Sequence, residues 1–237
     1  MPHRLPSDLA ARVNRFIDGT DLEALYRAYS WRQDTYPDGF PDILRLEKQL
    51  STRARTEGIT LRDVRDVATW GGLRNSARIM GPAVLLKPSE FHGTHGGPRS
   101  GMVDRLLAPL QALQSCTRGL GPTYLSKVMR FAVPEHYGAI DSRCVRVFGQ
   151  GDPSAIQHNW LGLRARDDGY GWYIPKAQSA WPSDYGLWLA ILHYLASNLK
   201  ISCPHPHAFI EKRLRRKGRW ACADVEMALF AYASQFV

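Results

Sequence analysis

Apolar residues recur along this chain at intervals of three and four, and that period constrains the fold more than any other feature. After Ser7, a residue able to cap a helix, Leu9, Val13 and Phe16 fall on one face. Leu22, Leu25, Tyr26 and Tyr29 repeat the pattern through 21–31. The same spacing predicts helices over 41–57, 60–70, 102–116, 122–131, 142–148, 183–199, 207–216 and 222–236. Ser, Thr or Asp stands at many of these starts, and glycines follow several stops. Two stretches break the period. Residues 92–101 (HGTHGGPRSG) are glycine-rich and read as a loop. Residues 160–175 alternate around a DDGYG turn and read as an inserted β-hairpin. The expected fold class is mainly α, a single unit over 1–237 with two helical lobes and a cleft between them. Its terminal helices, within 183–236, are expected to pack with the N-terminal ones.

Composition narrows the function classes. No uncharged apolar run approaches the roughly 18 residues a membrane span requires, and the longest, Leu187 to Leu195, reads as a buried helix. The first residues (MPHRLPSDLA) lack the apolar stretch of a secretory signal, so a cytoplasmic location is expected. Cys116, Cys144, Cys203 and Cys222 match neither zinc nor iron–sulfur spacing and read as small buried hydrophobes. His205 and His207 have no thiol or carboxylate at ligand spacing, so no metal is expected. Lys and Arg number 31 against 22 acids, a net charge of +9, which favours polyanionic partners such as nucleic acid.

The informative stretch is 118–148, RGLGPTYLSKVMRFAVPEHYGAIDSRCVRVF. It reads as a tight turn, a helix, a connector and then an acid at the start of another helix. Gly119 and Gly121 leave backbone N–H groups uncovered, and Pro122 suits a first helical turn. Such amides form an anion site that a DNA phosphate would occupy. The same GxGP also makes an ordinary helix-to-helix connection, and an isolated Asp141 also makes an ordinary N-cap.

These residues resemble the helix-hairpin-helix superfamily of DNA glycosylases. Gly119 and Gly121 match the family turn, and Ser126 matches its small helix residue. Asp141 stands at the family's distance, 22 residues after Gly119. Arg146 and Val147 match the pattern after the acid, while Cys144 replaces the usual Val. FAVPEHYGAIDSR and GRWACADVEMALFAYA look like a bacterial branch resembling 8-oxoguanine glycosylases. The resemblance implies a helix-hairpin-helix and catalytic segment over 102–150, a double-stranded DNA partner, a monomer and Asp141 as catalytic carboxylate. It implies no cofactor beyond a monovalent cation at the hairpin turn, and no iron–sulfur cluster.

Family members that also cut the backbone carry a lysine where this chain has Thr123. The resemblance therefore implies a monofunctional enzyme that leaves an abasic site. Lys127, one turn further on, reads as a phosphate contact or solvated surface, with a lyase nucleophile as the alternative. A non-catalytic DNA clamp would need the turn but not the acid. The target is expected to be an oxidised purine or a hypermodified phage base such as glucosylated hydroxymethylcytosine.

Expected DNA contacts are Gly119, Gly121, Thr123, Arg143 and Arg146, together with Lys212, Arg215 and Arg216 from the basic run EKRLRRKGRW. Arg74 and Asn75, after Gly71 and Gly72, are candidates to fill the gap left by a flipped base. Trp172, Tyr173 and Trp181 are candidates for a stacking base pocket, although dense aromatics also simply build cores. His136 and His193 read as structural.

Overall fold

The computed structural model describes residues 5–95 and 102–237, and it is mainly helical with only short antiparallel strand pairs. The helices are α1 (Ser7–Asp18), α2 (Leu22–Arg27), α3 (Pro41–Thr56), α4 (Leu61–Trp70) and α5 (Met102–Cys116). They continue with α6 (Pro122–Ala132), α7 (Ser142–Phe148), α8 (Ser183–Asn198), α9 (His207–Glu211) and α10 (Cys222–Ala233). Among the described residues, no helix is long and apolar enough to cross a membrane. The expected loop 92–101 begins inside a 3₁₀ turn, Pro88–His95, and residues 96–101 lie outside the described residues.

The apolar stripes meet in one continuous core. α10 lies at its centre, buried along nearly its whole length and packed on α2, α7 and α8. α6 is buried from Leu125 to Ala132 and packs on α3, α4 and α5. Cys144, Cys203 and Cys222 are buried and Cys116 is half-buried, all as free thiols.

Three local differences from the sequence pattern have physical causes. The helix expected over 21–31 ends at Arg27, because Ser30–Trp31 (β1) pairs with Asp34–Thr35 (β2). That hairpin turns the Asp34 side chain inward, where it is fully buried. One carboxylate oxygen accepts the Asp42 and Ile43 amides at 2.9 and 3.0 Å, capping α3 from outside its own sequence. The other oxygen accepts the Trp70 indole N–H at 2.7 Å. A second pair, Ile59–Thr60 (β3) with Val84–Leu86 (β4), has no signature in the periodicity. In the expected hairpin only Arg166–Asp167 (β5) and Trp172–Tyr173 (β6) pair, around an exposed Tyr170.

The third difference concerns the helix expected over 207–216, which stops at Glu211 as the chain turns through a left-handed Arg213 (φ 57°). That turn sends Arg215 into the interior. Its guanidinium meets Glu47 of α3 at 2.7 and 3.0 Å and Asp224 of α10 at 2.8 and 2.9 Å. Arg130 of α6 reaches Glu47 at 2.7 Å and Glu226 of α10 at 3.5 Å. The expectation that Arg215 contacts DNA is therefore corrected. Its side chain is a buried cross-brace between α3 and α10.

Candidate functional site

α5 and α6 are joined by the turn that carries Gly119 and Gly121. Gly119 has φ +83°, and an added Cβ would lie 3.2 Å from the Arg78 carbonyl oxygen, so glycine answers both backbone and space. Arg118 and Met80 exchange backbone hydrogen bonds at 2.9 and 3.1 Å, holding the turn against the loop that contains Arg74 and Asn75. Gly121 is the N-cap of α6, with nothing within 4 Å of where its Cβ would stand. At the start of α6 Pro122 carries no N–H and the Tyr124 and Leu125 amides both donate to the Gly121 carbonyl at 3.1 Å, so the amide that helix geometry leaves unpaired is that of the half-buried Thr123.

The connector that follows is held on every side. Ser126 is buried, accepts the Ile140 N–H at 3.0 Å, and lies 3.2 Å from the Ile140 carbonyl it can donate to. The Tyr185 hydroxyl donates to the Gly138 carbonyl at 3.1 Å, and the Trp188 indole to that of Ala139 at 2.9 Å. A Cβ on Gly138 would collide with Leu192 of α8 and press on Glu226 of α10. Asp141 therefore emerges from a clamped strand of backbone. It is the N-cap of α7, with extended dihedrals, and its carboxylate accepts the Cys144 amide at 3.1 Å.

Asp141 opens onto a cavity of about 10 Å³ shared with Lys127, Glu226, Trp31, Trp70 and Phe230. That volume holds about one water. Lys127 is buried, which corrects the reading of its side chain as solvated surface. Its Nζ lies 5.0 Å from the Trp31 ring, 5.3 Å from Trp70 and 5.8 Å from Tyr124, and among the described residues it forms no ion pair. Burial lowers its basicity, and the negative charge of Asp141 and Glu226 opposes that shift. Trp70 is fixed by Asp34, and the Trp31 indole donates to the Trp70 carbonyl at 3.1 Å. The Arg143 guanidinium sits over Trp31 and Phe230, at 5.3 and 5.2 Å.

Glu226 is the second carboxyl in this cavity. Burial pushes its pKa up to about 7, the Arg130 guanidinium opposes the rise, and Asp141 adds to it. A carboxyl held above its ordinary 4.5 makes folding favour the protonated form. That contribution is complete below 4.5 and is lost as the pH rises to about 7. The melting temperature of the native protein, measured against Glu226→Gln, should therefore fall between about pH 5 and pH 8. A difference independent of pH would contradict this environment for Glu226.

The other candidates fall elsewhere. Arg74, Asn75, Lys212 and Arg216 are exposed. Arg146 pairs with Asp152 at 2.6 Å and lies 4.4 Å over the Trp172 ring, so its charge is already engaged. Trp172, Tyr173 and Trp181 do not line the Asp141 cavity, and Trp181 is a core residue whose indole donates to Gln114 at 2.7 Å. The aromatics that line the Asp141 cavity are instead Tyr29, Trp31, Trp70 and Phe230. Glu226 and Lys127 carried a partial sequence signal, since each is a charge in a mostly apolar helix, although Arg130 shares α6 and Asp224 shares α10. Trp31 carried none.

Cys203, His205 and Asp224 bring three potential metal donors within 4.8 Å of one another. Both Asp224 oxygens are bonded to Arg215, and the Cys203 sulfur faces His205 Nδ1 at 3.5 Å. These groups are engaged with protein partners, and burial pushes the Cys203 thiol far from its thiolate form. Neither a family model, nor a curated protein, nor a solved structure matches this chain.

Proposed function

We propose that this chain is a DNA N-glycosylase of the helix-hairpin-helix kind, acting on a modified base in double-stranded DNA with Asp141 as its catalytic carboxylate. The observation that carries the reading is the clamped Asp141, set at a helix start and opening onto a cavity shared with a buried amine. Breaking a glycosidic bond builds positive charge on the sugar, and a fixed carboxylate stabilises that charge. The Thr123 amide at the start of α6 and the guanidinium of Arg143 would hold phosphates on either side of the flipped nucleotide. Arg74 and Asn75 would enter the duplex from the loop bridged to the hairpin turn. Ligand pockets usually run to roughly 300 Å³ or more, so a base enters this site only as Lys127 or Trp31 moves aside.

Two chemistries fit these residues. In the first, a water beside Asp141 attacks the sugar, and an abasic site is the product. In the second, the Lys127 amine attacks C1′ and displaces the base, then loses its protons as the sugar ring opens to a Schiff base, from which the 3′-phosphate is eliminated and the strand cut. The burial of Lys127 and its lowered basicity support the second, although Thr123 stands where strand-cutting members of the family carry their lysine. Borohydride added to the protein with abasic duplex separates them. The lyase reading predicts a covalent adduct in the native protein that Lys127→Ala loses entirely. Its absence from the native protein leaves the hydrolytic reading. The base itself is tested by incubation with duplexes bearing oxidised purines and with phage DNA bearing glucosylated hydroxymethylcytosine, with mass spectrometry of what is released. Release of no base from any of these would argue against the proposal.

A further inference from the structure

A second concavity, of about 470 Å³, opens where the 215–221 segment meets the N-terminal end of α10. Arg216, Arg219, His136, His193, Ser197 and Glu135 are among its lining residues. It shares no lining residue with the Asp141 cavity. Along the helix Ala221 lines one, while Glu226 and Phe230, five and nine residues further on, line the other, about 8 and 13 Å away along the axis.

The loop that presents the two arginines is pinned. Cys203 bridges to Gly218, whose φ of +72° fits glycine, and His205 Nε2 donates to the Arg219 carbonyl at 2.8 Å. The Trp220 indole donates to the Ile201 carbonyl at 2.9 Å, and the Arg219 amide to the Arg216 carbonyl at 3.1 Å. Arg215 at the floor is neutralised by Glu47 and Asp224. Arg216 and Arg219 are exposed, and among the described residues neither forms an ion pair. Among the described residues, Glu135 is the only acid lining the basin. The result is a rigid, net positive hollow with two guanidinium forks three residues apart, beside a stacked His136–His193 pair with ring centroids at 5.4 Å. Guanidinium forks match phosphate oxygens in pairs.

We infer that this basin binds a phosphate group, and that its occupant is a backbone phosphate of the same duplex, remote from the excised base. This rests on the glycosylase reading and adds a second point of contact to it. One strand carries a phosphate every 3.4 Å along the axis, so a spacing of about 8–13 Å corresponds to roughly two to four base steps. Unlike the full basic run, only those cations that face the basin contribute, and Arg215 is excluded.

The test is duplex affinity as a function of salt, by fluorescence anisotropy, for the native protein and the double variant Arg216→Ala/Arg219→Ala. Each phosphate contact adds about 0.9 to the slope of log K against log salt, so the double variant, which removes one contact, should lose about 0.9. Arg216→Lys/Arg219→Lys should retain the slope, since charge is kept. Native affinity with a slope unchanged in the alanine variant overturns the inference and leaves the glycosylase reading standing. If inorganic phosphate, at constant ionic strength, raises the melting temperature of the native protein but not of the alanine variant, and the slopes agree, the basin takes free phosphate and the DNA assignment fails. A native protein without duplex affinity removes both readings together.

Discussion

Replacing Asp141 with asparagine is expected to slow base release by on the order of 10²–10³-fold while leaving the protein folded and its DNA affinity intact. Asparagine is the informative substitution because Asp141 has two roles that separate. As an N-cap its carboxylate accepts the Cys144 amide, and an amide oxygen does this nearly as well. Folding stability should therefore change by less than about 1 kcal/mol. The negative charge is what the substitution removes; on the proposed mechanism the sugar's transition state calls for it, and in the resting protein it acts on Lys127 and Glu226. A protein that used Asp141 as a cap alone would lose nothing. Parallel measurement of melting temperature, duplex affinity and base release distinguishes these outcomes. A loss confined to release supports the catalytic role. Full retention of release would reduce Asp141 to a helix cap.

The largest expected effect on stability is at Arg215. Methionine there would fill similar space but leave Asp224 buried without its guanidinium and Glu47 with Arg130 alone. Breaking a buried ion pair from one side costs about 3–5 kcal/mol. For a chain of this size that lowers the melting temperature by roughly 6–20 °C. Arg216, the next residue, is exposed, and Arg216→Met should stay within about 0.5 kcal/mol of the native protein. Thermal denaturation of the two variants gives the contrast. Equal, small shifts would mean that Arg215 does not brace α3 to α10.

The same pair of arginines shows where sequence legibility ends. Both sit in one basic run, and local pattern gives no reason to separate them. Only the left-handed turn at Arg213 and the acids supplied from α3 and α10 make one of them interior. Helix positions were legible because each amphipathic stripe is a local property of its own segment. The Gly119–Gly121 turn and the cap at Asp141 were legible for the same reason. The walls of the cavity were not, because Trp31, Trp70, Lys127 and Glu226 come from four separate stretches of chain that meet only in three dimensions. Trp31 was hidden further by β1 and β2, which interrupt an apparently continuous helical period. The aromatics around 172–181 attracted attention by density, yet Trp181 belongs to the core and Tyr173 to an exposed hairpin.

The most direct measurement is the count of free bases and new abasic sites after duplexes bearing modified bases are incubated with the native protein and, in parallel, with Asp141→Asn. The account predicts one free base for each lesion processed by the native protein and almost none from the variant at equal time and equal DNA occupancy. Equal yields from both proteins would contradict it.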